Sequence, residues 1–172
     1  LAGGLASNRS RLVAVLVREI TQSPFNDTIE AMCAELSNDG IVVMLGLTGG
    51  ADERVDTLIE AALARRADAI ILTGLVTRPS TRQLLRDRET AVIEIWGLPR
   101  EPIDFAVGFS HDAVGVETAR FLRERGYRRP FLVVADGARA RQRRGGFVRE
   151  WSRAGRDALR DQRARPEHSR RF

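Results

Sequence analysis

The sequence predicts an α/β protein built on a parallel sheet with helices on its faces, and three observations carry that expectation. Short, continuous, β-branched runs such as LVAVLV (residues 12–17) recur along the chain, each the mark of a strand covered on both faces. Between them lie stretches of helical period with their own start and stop residues. Strand and helix then alternate from residue 12 to about 154, and a βαβαβ order implies parallel strands joined by right-handed crossovers.

Taken in order, LVAVLV is followed by SPFNDTIEAMCAELSNDG, with Ser23 as N-cap and Pro24 at the first helical position. Phe25, Ile29, Met32, Cys33 and Leu36 fall at helical spacing, and Gly40 terminates the helix. IVVMLG (41–46) repeats the strand signal. DERVDTLIEAALARR (52–66) is a helix with Val55, Leu58, Ile59, Ala62 and Leu63 on one stripe, and AIILTG (69–74) is a third strand. A short helix over 80–86, a strand AVIEIW (91–96) and an extended IDFAVGF (103–109) come next. A helix from His111 to Arg125 ends at Gly126, the strand FLVVA follows, and the last helix is expected over about 141–154. Beyond Gly155 the text RDALRDQRARPEHSRRF has almost no apolar residues and cannot offset its ordering entropy, so residues 156–172 are expected to be a disordered Arg-rich tail or a frayed helix.

A chain of 172 residues, 43% hydrophobic, supports one ordinary domain with an incomplete extra piece. It contains no apolar run near the roughly 20 residues that span a bilayer and opens with no secretory pattern, which predicts a soluble, cytoplasmic protein with no membrane partner. Cys33, the single cysteine, has no partner for a disulfide or a metal cluster and reads as core. The net charge of +5 is a tail property: residues 1–138 hold 16 Arg against 19 Asp and Glu, net −3, while 139–172 hold 12 Arg against 4 acids, net +8. All basic residues are arginine.

In an open α/β sheet, ligands bind beyond the carboxyl ends of the strands, here REITQSPFN, GLTGG, TGLVT, EIWG and ADGARARQRRGGF. GLTGG lacks both the GxGxxG spacing and a Lys-Ser/Thr pair and reads as a turn. His111 and His168 have no partner at metal-ligand spacing, and no Ser/His/Asp or Cys/His set can be assembled, so no enzyme, metal or cofactor is expected. In VIEIWG, Glu94 breaks an apolar strand and Trp96 shares its face by the two-residue period. An acid beside an indole suits a polyhydroxylated ligand, while a solvent-facing Glu and a core-edge Trp fit the same residues equally well. Phe25, in the first turn of its helix, reads either as rim or as core. Arg143 lies three residues before Gly146-Phe147 at a helix opening, where it reads either as a bidentate grip on a carboxylate or as part of a solvated charge run.

These residues together resemble the lactose-repressor/galactose-repressor (LacI/GalR) family of bacterial transcription regulators, gluconate-repressor-like members in particular. The resemblance rests on LAGGLASNRSRLVAVLV, SPFNDTIEAM, ARRADAIILTG, VIEIWGLPREPIDFAVGFSHDAVG, FLRERGYRRP and RQRRGGF. It implies a periplasmic-binding-protein-like fold of two Rossmann-like subdomains behind a helix-turn-helix and a hinge helix. Residues 1–10 then resemble the hinge, with Leu5 wedging into the DNA minor groove as one of a dimer pair. Residues 11–129 resemble the N-terminal effector subdomain and 130–155 the start of the second, as a chain truncated at both ends would show. Ser110-His111 stands where the family usually has Asp-Asn, and Ser23 where Asn is common. The implied function is a repressor of carbohydrate metabolism that binds a sugar or sugar acid such as gluconate through Phe25, Asn26, Glu94, Trp96 and Arg143, acts on operator DNA and forms a homodimer. A stand-alone periplasmic-type sugar-binding protein and a non-functional truncated paralogue are the alternatives.

Overall fold

The computed structural model describes residues 9–20, 25–49, 52–74, 76, 78–153 and 160–163. Ser23, Pro24 and the Leu5 segment lie outside the described residues. The chain forms two compact units, residues 1–108 and 109–172.

Unit 1 is a five-stranded parallel sheet of β1 (Leu12–Val17), β2 (Val42–Leu47), β3 (Ala69–Leu72), β4 (Ala91–Ile95) and β5 (Phe105–Val107), in the order β2-β1-β3-β4-β5. Its helices are α1 (Phe25–Asn38), α2 (Asp52–Ala64) and α3 (Pro79–Arg86). β1 sits inside the sheet, pairing Leu12 with Val42 on one side and Val13 with Ala69 on the other. The two-residue period of the strands divides the core. Ala14, Leu16, Ile70, Leu72 and Val92 pack with Ile59 and Ala62 of α2 and Leu85 of α3. Val13, Val15, Val17, Ile71 and Ile95 pack with Ile29, Met32, Cys33 and Leu36 of α1. The stripe expected at Val55, Leu58, Ile59, Ala62 and Leu63 is the α2 face that meets the first cluster. At the end of α1, Ile41 N–H donates to Leu36 O and Gly40 N–H to Ser37 O, while Gly40 has φ +70°. This left-handed closure explains the glycine.

The entry to β1 is a second tight feature. The Asp68 carboxylate accepts from Ser10 N–H at 3.0 Å and Ser10 Oγ at 3.3 Å through Oδ1, and from Arg11 N–H at 2.9 Å through Oδ2. Arg11 itself takes the left-handed φ of +53°, a strained conformation for an arginine. At the other end of the sheet β4 stops at Ile95, because Trp96 has φ +64° while its N–H donates to Val107 O. Here Gly108 approaches residue 97 so closely that a Cβ would stand 2.4 Å from the Gly97 nitrogen.

Unit 2 contains α4 (His111–Glu124), β6 (Phe131–Val134), α5 (Ala138–Arg153) and β7 (Arg160–Arg163). The sequence reading groups residues 109–129 with the preceding subdomain. In the structure α4 packs against α5, and the division falls after Gly108. The helices meet backbone to backbone: a Cβ on Gly115 would lie 2.0 Å from Arg143 O, and one on Gly146 2.1 Å from Asp112 O. Phe147 and Trp151 stack at 5.7 Å beside Ala119 and Leu122. Glu150 is held by Arg120 Nε and Arg123 Nη2, each at 3.1 Å. α5 starts three residues earlier than expected, at Ala138. Within the segment read as a disordered tail, Arg160–Arg163 form β7, parallel to β6 with Phe131 opposite Arg160.

Candidate functional site

The sheet of unit 1 changes direction of winding at β1: the chain goes outward to β2 and then returns past β1 to β3. The carboxyl ends of β1 and β3 at such a switch form a natural crevice. A small cavity of about 50 Å³ lies there, bounded by Arg18, Thr48, Val55, Thr73, Gly74 and Val76. Thr48 and Thr73 are buried, and Thr73 Oγ1 donates to Leu16 O at 3.0 Å, which fixes its side chain at the mouth. Thr48 N–H donates to Val17 O at 2.8 Å and Gly49 N–H to Arg18 O at 2.9 Å, so the turn after β2 is clamped to the end of β1. Arg18 is exposed. A guanidinium and two threonines around an apolar floor can bind hydroxyl and carboxylate groups. Sequence reasoning passed over all three. REITQSPFN, GLTGG and TGLVT read as strand ends in the sequence, but no single residue there breaks a pattern as Glu94 does.

Glu94 and Trp96 are not on one face. Glu94 is 1% exposed and points toward α3, where Oε1 accepts from Arg82 Nη1 at 3.3 Å and Oε2 accepts from Ile103 N–H at 2.9 Å. Arg82 also donates to Val76 O and Glu101 O. The carboxylate therefore ties β4 to the segment before β5. Trp96 packs on the opposite side, against the cluster that includes Ile95 and Ile29. The left-handed turn at Trp96 ends the two-residue alternation on which the shared face was expected. Asn26 is exposed in the first turn of α1, and the α1 helix begins at Phe25.

In unit 2, Arg143 is exposed and its Nη1 donates to His111 Nδ1 at 2.9 Å. His111 is 5% exposed and meets Phe109 edge to face at 4.8 Å. Ser110 caps α4, accepting from Ala113 N–H at 3.1 Å. Asp112, the next residue after His111, is engaged by Arg149 at 2.6 Å. That contact raises the proton affinity of Arg149, whereas burial first and then the Arg143 charge lower that of Arg139. Gly146 brings α5 onto α4, and this contact places Arg143 beside His111. An open groove of about 180 Å³ runs between α4, β6 and α5, with Arg143 and Arg144 on its polar rim. Among the described residues no cluster of His, Cys, Asp or Glu can hold a metal, and no helix is long and apolar enough to cross a membrane.

Residues 10–168 match the family of periplasmic binding proteins and the sugar binding domain of the LacI family. The chain belongs to this family. The match runs past residue 155, where the resemblance read from sequence ends. An HTH-type transcriptional regulator GntR of Pseudomonas aeruginosa is 32% identical over 155 residues, covering 90% of this chain and 45% of that protein. A crystal structure of a LacI family transcriptional regulator from Silicibacter pomeroyi superposes with a TM-score of 0.84 at 28% identity, covering 92% of this chain and 60% of the other. The transcription regulator GntR from Chromobacterium violaceum gives 0.75 at 25%, covering 90% and 58%. The chain thus spans about half the length of the regulators it matches. The α/β architecture of this LacI-family effector domain, with its periplasmic-binding-protein-like sheet, is the one the sequence predicted.

Proposed function

We propose that this chain is the effector-binding part of a LacI-type transcription regulator whose ligand is a sugar or sugar acid of the gluconate kind. The observation that carries the reading is the mouth at the β1/β3 switch, where Arg18, Thr48 and Thr73 surround an apolar floor in a chain of the LacI sugar-binding family. Phe25, Asn26, Trp96 and Arg143 are each assigned a ligand-binding role. Glu94 supports the strand end that carries Trp96. Operator binding is assigned to a hinge at residues 1–10, with Leu5 as the wedge, and to a helix-turn-helix as in the HTH-type relative.

Calorimetric titration of the chain with gluconate, glucose and their relatives tests the ligand reading. Saturable binding that weakens at least tenfold in Arg18→Ala and Thr73→Val supports it. No binding to any sugar or sugar acid overturns it.

A homodimer through the β2 side belongs to the same reading. Val42, Leu45 and Leu47 are exposed on the outer edge strand, with α1 and α2 on either face beside them. An apolar edge of this kind is normally covered. Val42, 64% exposed, is the test position: sedimentation at tens of micromolar is expected to show a dimer, and Val42→Glu a monomer.

A further inference from the structure

The contact between Arg143 and His111 has a chemical asymmetry. A guanidinium has five N–H donors and no acceptor, so at 2.9 Å the imidazole Nδ1 must offer a lone pair. The ring is then neutral, with its proton on Nε2. His111 cannot relax this by turning away, because it is buried, stacked edge to face on Phe109 and seated in the first turn of α4. The nearest acid in sequence, Asp112, pairs with Arg149 instead. Among the described residues no carboxylate lies within ion-pair distance of Arg143. The other charged groups on the same stretch of α5, Arg139 and Arg144, have its own sign, and Arg139 already responds to the Arg143 charge.

A carboxylate partner both orients an arginine and cancels its charge. Here a neutral partner does the first without the second. We infer that His111 is a specificity-determining residue: it orients Arg143 while leaving its positive charge to be met by the ligand, so that unit 2 selects an anionic effector over a neutral sugar. The imidazole engages Nη1, and a guanidinium carries four further N–H donors, enough for the paired contact that a carboxylate makes. An Asp at position 111 would pair with Arg143 internally and cancel that selection. This inference rests on the proposed effector role of Arg143 and names the chemistry it selects.

The test compares gluconate with sorbitol, which differs by a CH2OH in place of the carboxylate, by calorimetry on the full chain. Wild type is expected to prefer gluconate at least tenfold, with the preference shrinking as salt is raised. His111→Asn, neutral and short, should keep most of the preference, and His111→Asp should reduce it to within about threefold of unity. Circular dichroism melts identify any variant that has lost its fold. Independently of any ligand, 1H–15N spectra should show His111 with an unprotonated Nδ1 and a protonated Nε2 at neutral pH. A protonated Nδ1, equal binding of the two ligands by wild type, or an unchanged preference in a folded His111→Asp overturns the inference while leaving the effector reading intact. Failure of wild type to bind either ligand overturns both.

Discussion

At the scale of single residues, arginine–carboxylate contacts in this chain do two kinds of work, and Glu150 shows the first. It is a small-exposure carboxylate held by Arg120 and Arg123, and the hydrogen bonds from these two guanidinium groups keep its proton affinity below the usual glutamate range. A carboxyl with a lowered folded-state pKa stabilises the fold above its unfolded value, about 4.3. That contribution is lost as the pH falls through the folded value. Trp151, the adjacent residue, reports on the same packing. Near-ultraviolet circular dichroism is expected to stay constant from pH 7 to about 5 and to decline below about 4, with Glu150→Gln removing most of that acid step. An unchanged acid transition in the Gln variant contradicts the assignment. Glu94 shows why residue roles are hard to read from sequence. Its break in an apolar strand was visible, but an acid that braces a loop and an acid that binds a ligand leave the same mark, and its partners Arg82 and Ile103 lie 12 and 9 residues away. Arg18, Thr48 and Thr73 left no mark, since threonines and an arginine at strand ends are ordinary in composition and gain meaning only when three strand ends converge.

At the scale of elements, the α4–α5 crossing depends on two hydrogen atoms. With Gly115 and Gly146 the helices meet close enough for backbone contact, and Phe147 then reaches the pocket beside Ala119. A methyl group on Gly115 would overlap Arg143 O, which belongs to a helix backbone and cannot swing aside. Gly115→Ala is therefore expected to destabilise unit 2 by about 2–3 kcal/mol and to disturb the Arg143–His111 contact. Urea unfolding followed through Trp151 in a Trp96→Phe background isolates unit 2, because unit 1 then holds no tryptophan. A loss under about 0.5 kcal/mol, the range of ordinary surface changes, contradicts the close crossing. Element order and type were legible because strand and helix periods alternate cleanly, as LVAVLV and the Val55–Leu63 stripe show. Two things were not. The grouping of residues 109–129 depends on which helix α4 meets, and nothing in its amphipathic pattern names a partner. β7 pairs with β6 through backbone hydrogen bonds, so the polar sequence RDQR carries no trace of it.

At the scale of the whole molecule, β1 is secured at both ends. Asp68 N–H donates to Leu12 O at 2.8 Å and the Asp68 carboxylate holds Ser10 and Arg11, while at the far end Thr73 N–H and Oγ1 both donate to Leu16 O. Between these points β1 is hydrogen-bonded to β2 and β3 along its length, and Ala14 and Val15 are fully buried. The β1 amides are expected to be the slowest-exchanging in unit 1, with protection unchanged when ligand binds at the switch-point mouth. Ligand-dependent exchange within Val13–Leu16 contradicts this. The β1–β3 ladder runs over four residue pairs, about 13 Å at roughly 3.3 Å each. The strand thus links Arg18 at one end to the left-handed Arg11 at the other through an unbroken ladder.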